Sequence, residues 1–347
     1  MLAEKLIQNG TLTKEEYVQL FTTITEEERE LLRKRAVLLR EQYYGNKIYI
    51  RGLIEFTNYC KNNCYYCGIR GENKEVARYR LSEEEILSCC ENGYTLGFRT
   101  FVLQGGEDLY YNDDRMEKIV SEIRKRYPDC AITLSLGERS FESYKRLKEA
   151  GADRYLLRHE TANKSHYETL HPSIMSFERR KECLYQLKQL GYQVGAGFMV
   201  GSPNQTVECI AEDFLFLQEL EPHMVGIGPF IPHHSTPFRE KKAGSVEDTL
   251  LYLSVIRIVL PKVLLPATTA LGTLDPFGRE KGIMAGANVI MPNLSPMTQR
   301  KKYELYNNKL CTGEESAEQK KELEKSISSI GCEIVCDRGD VFNKLSV

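Results

Sequence analysis

From residue 46 onward the chain alternates between two rhythms. Short apolar, β-branched runs fall at 48–56, 100–104, 131–135, 154–157, 193–200, 224–228, 263–268 and 288–291. Between them lie stretches with apolar residues every three or four positions, at 83–96, 114–127, 141–150, 177–190, 206–220 and 246–259. The link 269–287 is less regular. Strands that alternate with helices imply parallel crossovers. Eight of them predict an α/β fold, a complete (β/α)8 TIM-type barrel, although an open doubly wound sheet carries the same local signals. Residues 1–45 read as helical. Thr13 with Glu16 and Thr25 with Glu28 have capping-box spacing. The charged run after Thr25 leads into Leu31, Leu32, Val37, Leu38 and Leu39, an amphipathic helix expected on the outside of something larger. The tail is polar, with one helix candidate at 318–330. The expected organisation is an N-terminal helical extension (1–45), a barrel (46–310) and a C-terminal extension closing it (311–347).

Charge and composition narrow the function. The 347 residues carry 47 Lys+Arg against 49 Asp+Glu, a formal net charge of −2, so no basic stripe points to nucleic acid. With 41% apolar residues the chain is not disordered. The most apolar stretch, 250–267, is interrupted by Arg257, Pro261 and Lys262, so no membrane span is expected. Glu4 and Lys5 argue against a signal peptide, and a cytoplasmic protein is expected. Eleven cysteines, an odd count in a long chain, do not read as a secreted disulfide framework. Their spacing is therefore informative.

Just past the first strand, Cys60, Cys64 and Cys67 form C-x3-C-x2-C with Tyr66 before the last cysteine. At this composition roughly 0.01 such triads would arise by chance. Sites in α/β folds lie at the C-terminal ends of strands, where this loop falls. A structural zinc site wants four ligands, and this loop offers three. A disulfide with a spare thiol is out of place in a reducing compartment. Three thiolates suit a [4Fe–4S] cluster with one iron open to a substrate or cosubstrate.

Other strand ends carry candidate chemistry. Gly105-Gly106-Glu107 follows the second strand, with glycine allowing close backbone approach. Alternation puts Thr133 and Ser135 on one face of the third strand, to bind a ligand or simply to favour β structure. Arg158, His159 and Glu160 follow the fourth strand and are costly to bury unless they bind something or form an internal ion pair. Arg180, between Arg179 and Lys181, either pairs with a carboxylate or is solvated. Gly195, Gly197 and Gly201 on strand five leave room for a bulky ligand, such as an adenine. The pair His233-His234 invites a metal, but adjacent strand positions point apart. Thr268 and Thr269 end strand seven, and Met291 ends strand eight. Tyr303 and Tyr306 follow in a segment placed to close the barrel mouth.

The C-x3-C-x-aromatic-C loop after the first strand resembles the signature of the radical S-adenosylmethionine (SAM) superfamily. Within it, residues 158–163 (RHETAN), 225–232 (VGIGPFIP), 266–270 (PATTA) and 286–293 (GANVIMPN) resemble the HydE family of [FeFe]-hydrogenase maturases, from about residue 45 to Cys311. The resemblance implies that Cys60, Cys64 and Cys67 hold the [4Fe–4S] cluster and that SAM chelates its open iron. Gly105, Gly106, Glu107, Thr133, Ser135, Glu160 and Arg180 would contact SAM. Arg158, Thr268, Thr269, Met291, Tyr303 and Tyr306 would line a substrate cavity. It further implies that the adenosyl radical attacks the cysteine sulfur of a small iron–carbonyl–cyanide complex. That step leads towards the dithiomethylamine-bridged diiron subcluster. HydG and HydF would be partners, and a low-potential reductant is required. Some family members carry a second cluster in a C-x7-C-x2-C arrangement beginning at the position of Cys311. Here Gln319 and Glu322 occupy its later positions, so a second C-terminal cluster is expected to be absent. Biotin synthase is disfavoured, because Cys89, Cys90, Cys130, Cys183 and Cys209 do not fall on inner strand positions. A methylornithine synthase-like mutase is the alternative, and a non-catalytic Fe–S or zinc scaffold is the reading from a different class.

Overall fold

In a computed structural model of the chain, residues 1–310 and 317–342 are described. Three helices come first: α1 (Leu2–Asn9), α2 (Lys14–Thr23) and α3 (Glu26–Tyr44). Thr13 and Thr25 close the expected capping boxes at the starts of α2 and α3. The first barrel run is split by Arg51 into β1 (Lys47–Ile50) and β2 (Gly52–Thr57). Then follow α4 (Glu83–Thr95), β3 (Thr100–Gly105), α5 (Asp113–Arg126), β4 (Ala131–Ser135), α6 (Phe141–Glu149) and β5 (Arg154–Leu156). An unforeseen short helix, α7 (Lys164–Leu170), precedes α8 (Phe177–Gln189). Next come β6 (Gln193–Ala196), β7 (Met199–Val200), α9 (Val207–Leu220), β8 (Met224–Val225), β9 (Gly228–Pro229) and α10 (Val246–Val259). The chain continues through α11 (Thr269–Leu274), α12 (Gly278–Met284), β10 (Val289–Ile290), α13 (Met297–Arg300), α14 (Lys320–Ser329) and β11 (Glu333–Val335).

The sheet is parallel, as the alternating rhythm requires. β2, β3, β4, β5, β6 and β8 pair in that order, and β10, β1 and β11 form a second parallel ribbon. Single parallel bridges link the two groups: Met224 to Leu264, Pro266 to Val289, and Leu53 to Asn293. The expected strand at 263–268 is present only as the two bridges at Leu264 and Pro266. Pro266 has no N–H to offer a ladder, which limits regular pairing there.

The N-terminal helices pack on the outside of this sheet-and-helix body, as α3's amphipathic pattern implies. Tyr17 stacks on Phe214 of α9 at 5.3 Å, and Phe21 meets Tyr252 of α10 edge-on at 5.0 Å. Arg257, which interrupts the apolar run of α10, is fully buried but bonds the carbonyls of Pro261, Val263 and Gly286. Its charge is thereby solvated by backbone rather than by water. At the N-terminal ends of the strands β11 pairs with β1, and Arg338 and Asp340 cover β3, β5 and β6. The C-terminal ends carry the cysteine loop.

Candidate active site

Cys60, Cys64 and Cys67 leave the end of β2 and turn into one cavity of about 350 Å³. The loop is held from several sides. Its Tyr65 N–H donates to the Leu170 carbonyl at 2.9 Å, so α7 buttresses it. The Tyr66 hydroxyl meets His171 Nε2 at 3.2 Å, and His171 Nδ1 lies 3.0 Å from the Tyr167 carbonyl. Burial lowers the pKa of His171 to about 3, so the ring is neutral. Its Nδ1–H donates to the carbonyl and Nε2 accepts from Tyr66. The Lys61 N–H donates to the Glu107 carbonyl at 3.0 Å, and its ammonium meets the Glu107 carboxylate at 3.1 Å.

Gly106 shows why the turn after β3 needs glycine. A Cβ there would lie 2.2 Å from the Tyr59 carbonyl and 2.7 Å from Cys60 Cβ. The close approach is therefore made by the cysteine loop itself. Burial pushes all three thiols upward, Cys67 to about 12, and neighbouring cysteines add to the shift at Cys64 and Cys67. As free thiols they are protonated, and each must lose its proton to ligate iron. None is in a disulfide. Among the described residues no three His, Cys, Asp or Glu groups converge on one point as a single-ion site requires. The cysteines instead share the wall of the cavity.

The same cavity is lined by Gly105, Gly106, Glu107, Ser135, Arg158, Glu160, Arg180, Thr268, Thr269, Met291, Tyr303 and Tyr306. Arg180 is buried, not solvated. Its Nε donates to Glu138 at 2.5 Å and its Nη1 to the Arg158 carbonyl at 2.8 Å. Arg158 Nη2 approaches Glu160 Oε2 at 3.4 Å without forming a hydrogen bond. Arg158 Nε and Nη2, Glu160 Oε2 and Thr268 Oγ1 are all buried without a hydrogen-bond partner. Native proteins rarely leave such atoms unpaired, so a cluster of them beside a cavity marks a place for a polar ligand. Cysteine thiols, two arginines and these orphaned atoms fit a cluster together with a zwitterionic cosubstrate.

Three expectations need correction. Thr133 does not line this cavity. It lies two residues deeper on β4 than Ser135, about 7 Å towards the base, beside Arg51 and Arg154. Gly195, Gly197 and Gly201 do not make room for a ligand. Cβ atoms there would meet Leu156 and Met224 side chains, the Gly226 carbonyl at 2.0 Å, and Gly244 Cα at 2.6 Å, so these glycines serve packing. His233 and His234 fall beyond β9, and their rings stack at 4.2 Å instead of pointing apart. Sequence reasoning also missed Glu55. Its side chain is fully buried and bonds Lys309 Nζ at 2.6 Å and Asn293 Nδ2 at 2.8 Å in the cavity wall. An acid inside an otherwise uncharged strand was a usable signal. Lys309, in a polar segment, carried none.

A sequence profile of the Radical SAM superfamily matches residues 54–217. The [FeFe] hydrogenase maturase subunit HydE of Thermotoga maritima is 50% identical over 285 residues, covering 82% of this chain and 81% of that protein. This chain belongs to the HydE branch of the radical SAM superfamily. Membership implies a [4Fe–4S] cluster and SAM. A 3-methylornithine synthase of Methanosarcina acetivorans is 31% identical over 289 residues, covering 83% of this chain and 81% of that protein. The crystal structure of methylornithine synthase (PylB) superposes with a TM-score of 0.81 at 27% identity, over 96% of this chain and 97% of that one. A radical SAM enzyme needs its open cluster beside a cavity that can hold SAM, and the cysteine loop here stands in the wall of a cavity with charged side chains. Among the described residues no helix is long and apolar enough to cross a membrane.

Proposed function

We propose that this chain is a HydE-type maturase, a radical SAM enzyme that processes a small iron–carbonyl–cyanide complex on the way to the hydrogenase diiron subcluster. The observation that carries the reading is the meeting of three half-buried cysteines with orphaned Arg158, Glu160 and Thr268 atoms in one cavity. It agrees with the 50% identity to HydE. A reduced cluster would supply one electron to the sulfonium of bound SAM, and the 5′-deoxyadenosyl group so released would be the radical source for attack on the sulfur of the substrate's cysteine.

The protein's own contribution is holding, orienting and excluding water. Cys60, Cys64 and Cys67 are the cluster ligands. Glu160 would accept from the ammonium of SAM, and Arg180, fixed by Glu138, would pair with its carboxylate. Gly105, Gly106, Glu107 and Ser135 complete that wall, with Glu107 held in place by Lys61 and the Glu138 N–H. Thr133 drops out of this set. Arg158 offsets the negative charge of the iron complex, with Thr268, Thr269, Met291, Tyr303 and Tyr306 shaping its space. Water is excluded by the segment bearing Tyr303 and Tyr306, which Lys309 anchors to Glu55.

The bridges at Leu264, Pro266 and Asn293 support a complete eight-stave barrel, read with a helical extension at 1–45 and a C-terminal extension from 311 onward. The second cluster is read as absent. Cys311 lies outside the described residues, while Gln319 and Glu322 sit at the start of the last helix. HydG and HydF are the proposed partners, with a low-potential reductant, in the cytoplasm. The likeness to methylornithine synthases supports a second reading, a lysine mutase. Complementation of a maturation system lacking HydE distinguishes the two. Restored hydrogenase activity supports the maturase. Failure together with turnover of lysine to methylornithine supports the mutase.

A further inference from the structure

Asp213 stands outside the cavity yet is tied to it. It lies on α9 with no exposed surface. Its Oδ1 accepts the Ala162 N–H at 2.5 Å and faces His159 Nε2 at 3.2 Å. On the other side of the imidazole, Nδ1 accepts the Gly197 N–H at 3.2 Å, so the ring proton sits on Nε2 and is directed at Asp213. Burial lowers the pKa of His159 to about 3 and keeps the ring neutral.

These bonds bracket Glu160. His159 and Ala162 are pinned on either side of it, and the Glu160 N–H reaches the Gly197 carbonyl at 3.0 Å. Glu160 itself is held at φ 67°, in the left-handed region that a glutamate seldom adopts. Its Oε2 is buried in the cavity wall without a hydrogen-bond partner. A strained backbone persists only where its surroundings over-determine it. The adjoining Glu212 extends the brace: it bonds Asn163 Nδ2 at 2.9 Å and Lys14 of α2 at 2.5 Å.

We propose that Asp213 is a positioning residue for the SAM site: through His159 and the Ala162 amide it fixes the 159–162 turn so that the Glu160 carboxylate stands in the cavity. The proposal rests on the reading that Glu160 contacts SAM. It is tested on cluster-loaded protein by SAM affinity and by the kinetics of 5′-deoxyadenosine release. In Asp213→Leu, KM and Kd for SAM should rise about tenfold or more, while kcat at saturating SAM stays within about threefold. Asp213→Asn keeps an oxygen for both donors and should return both constants to within about threefold of the parent. His159→Phe removes both nitrogen contacts, so it should show the same rise in KM and Kd and serves as the test if Asp213→Leu does not fold. Glu160→Gln separates the two claims. If it leaves SAM affinity unchanged, the SAM-site reading falls. If it weakens SAM while Asp213→Leu and His159→Phe, with normal iron content, do not, the positioning role is overturned.

Discussion

Arg154 and Arg158 sit four residues apart, at opposite ends of the same stave, and meet opposite fates. Arg154 opens β5 at the base, where it is 3% exposed. It bonds Gln193, Thr100, the Arg338 carbonyl and Asp340, at 2.6–3.1 Å. Arg158, past the other end of the stave, keeps two nitrogens with no hydrogen-bond partner, and its one close anion, Glu160 Oε2 at 3.4 Å, also lacks a hydrogen bond. A saturated buried cation stabilises the fold, and an unsaturated one at a cavity waits for a ligand. The base is not perfect, since Arg51 Nε and Thr133 Oγ1 also lack partners. The contrast is therefore between the two named arginines, and it can be broken by experiment.

The largest effect is expected at the cysteines. Cys64→Ala removes one of three thiolates, and iron after anaerobic reconstitution should fall from about four per chain to below about one. Iron retained at the parent level would move the cluster elsewhere. Next come the two arginines. Arg154→Met strands Asp340, whose side chain is 40% exposed, so the loss should be roughly 2–3 kcal/mol, less than for a fully buried pair. The thermal midpoint, read by circular dichroism, should fall by about 3–4 °C. SAM cleavage by the folded protein should stay within about twofold. Arg158→Met should do the reverse, with the midpoint moving by less than about 2 °C and maturation activity falling at least about tenfold. Equal destabilisation by both would erase the distinction.

Gly106→Ala should have an intermediate effect. Its new Cβ would meet the Tyr59 carbonyl, at a cost of about 1–3 kcal/mol. The loaded cluster should be stripped faster by an iron chelator. The smallest effect is a pH dependence at the base. Arg154, Arg338 and Gln193 outweigh burial and hold the Asp340 carboxyl well below the usual carboxylate range. A group depressed in the folded state adds stability that is complete above its unfolded pKa, near 4. That stability is lost as pH falls below it. Asp340→Asn should therefore flatten the acid limb of the stability profile below about pH 4 and leave its shape above about pH 5 unchanged.

Much of this was legible in the residues themselves. The strand at Ala131–Ser135, the helix at Val246–Val259 and both threonine capping boxes follow from local periodicity and spacing. The cysteine loop was legible because its three cysteines lie within one eight-residue span. What was missed depends on tertiary context. The helix Lys164–Leu170 is seven residues long, too short to show a period, and its role as a buttress depends on where the cysteine loop ends up. The strand Glu333–Val335 has three residues and exists through its partner β1. Glu55 and Lys309 are 254 positions apart, so their pairing had no local signature. Thr133 and Ser135 share a face but not a depth, and alternation reports only the face.

The most direct test of radical SAM chemistry at the mouth is 5′-deoxyadenosine release from cluster-loaded protein given SAM and a strong reductant. 5′-Deoxyadenosine and methionine in equal amounts, absent without the reductant, are the expected result. A fully loaded protein that binds SAM and releases neither would contradict it.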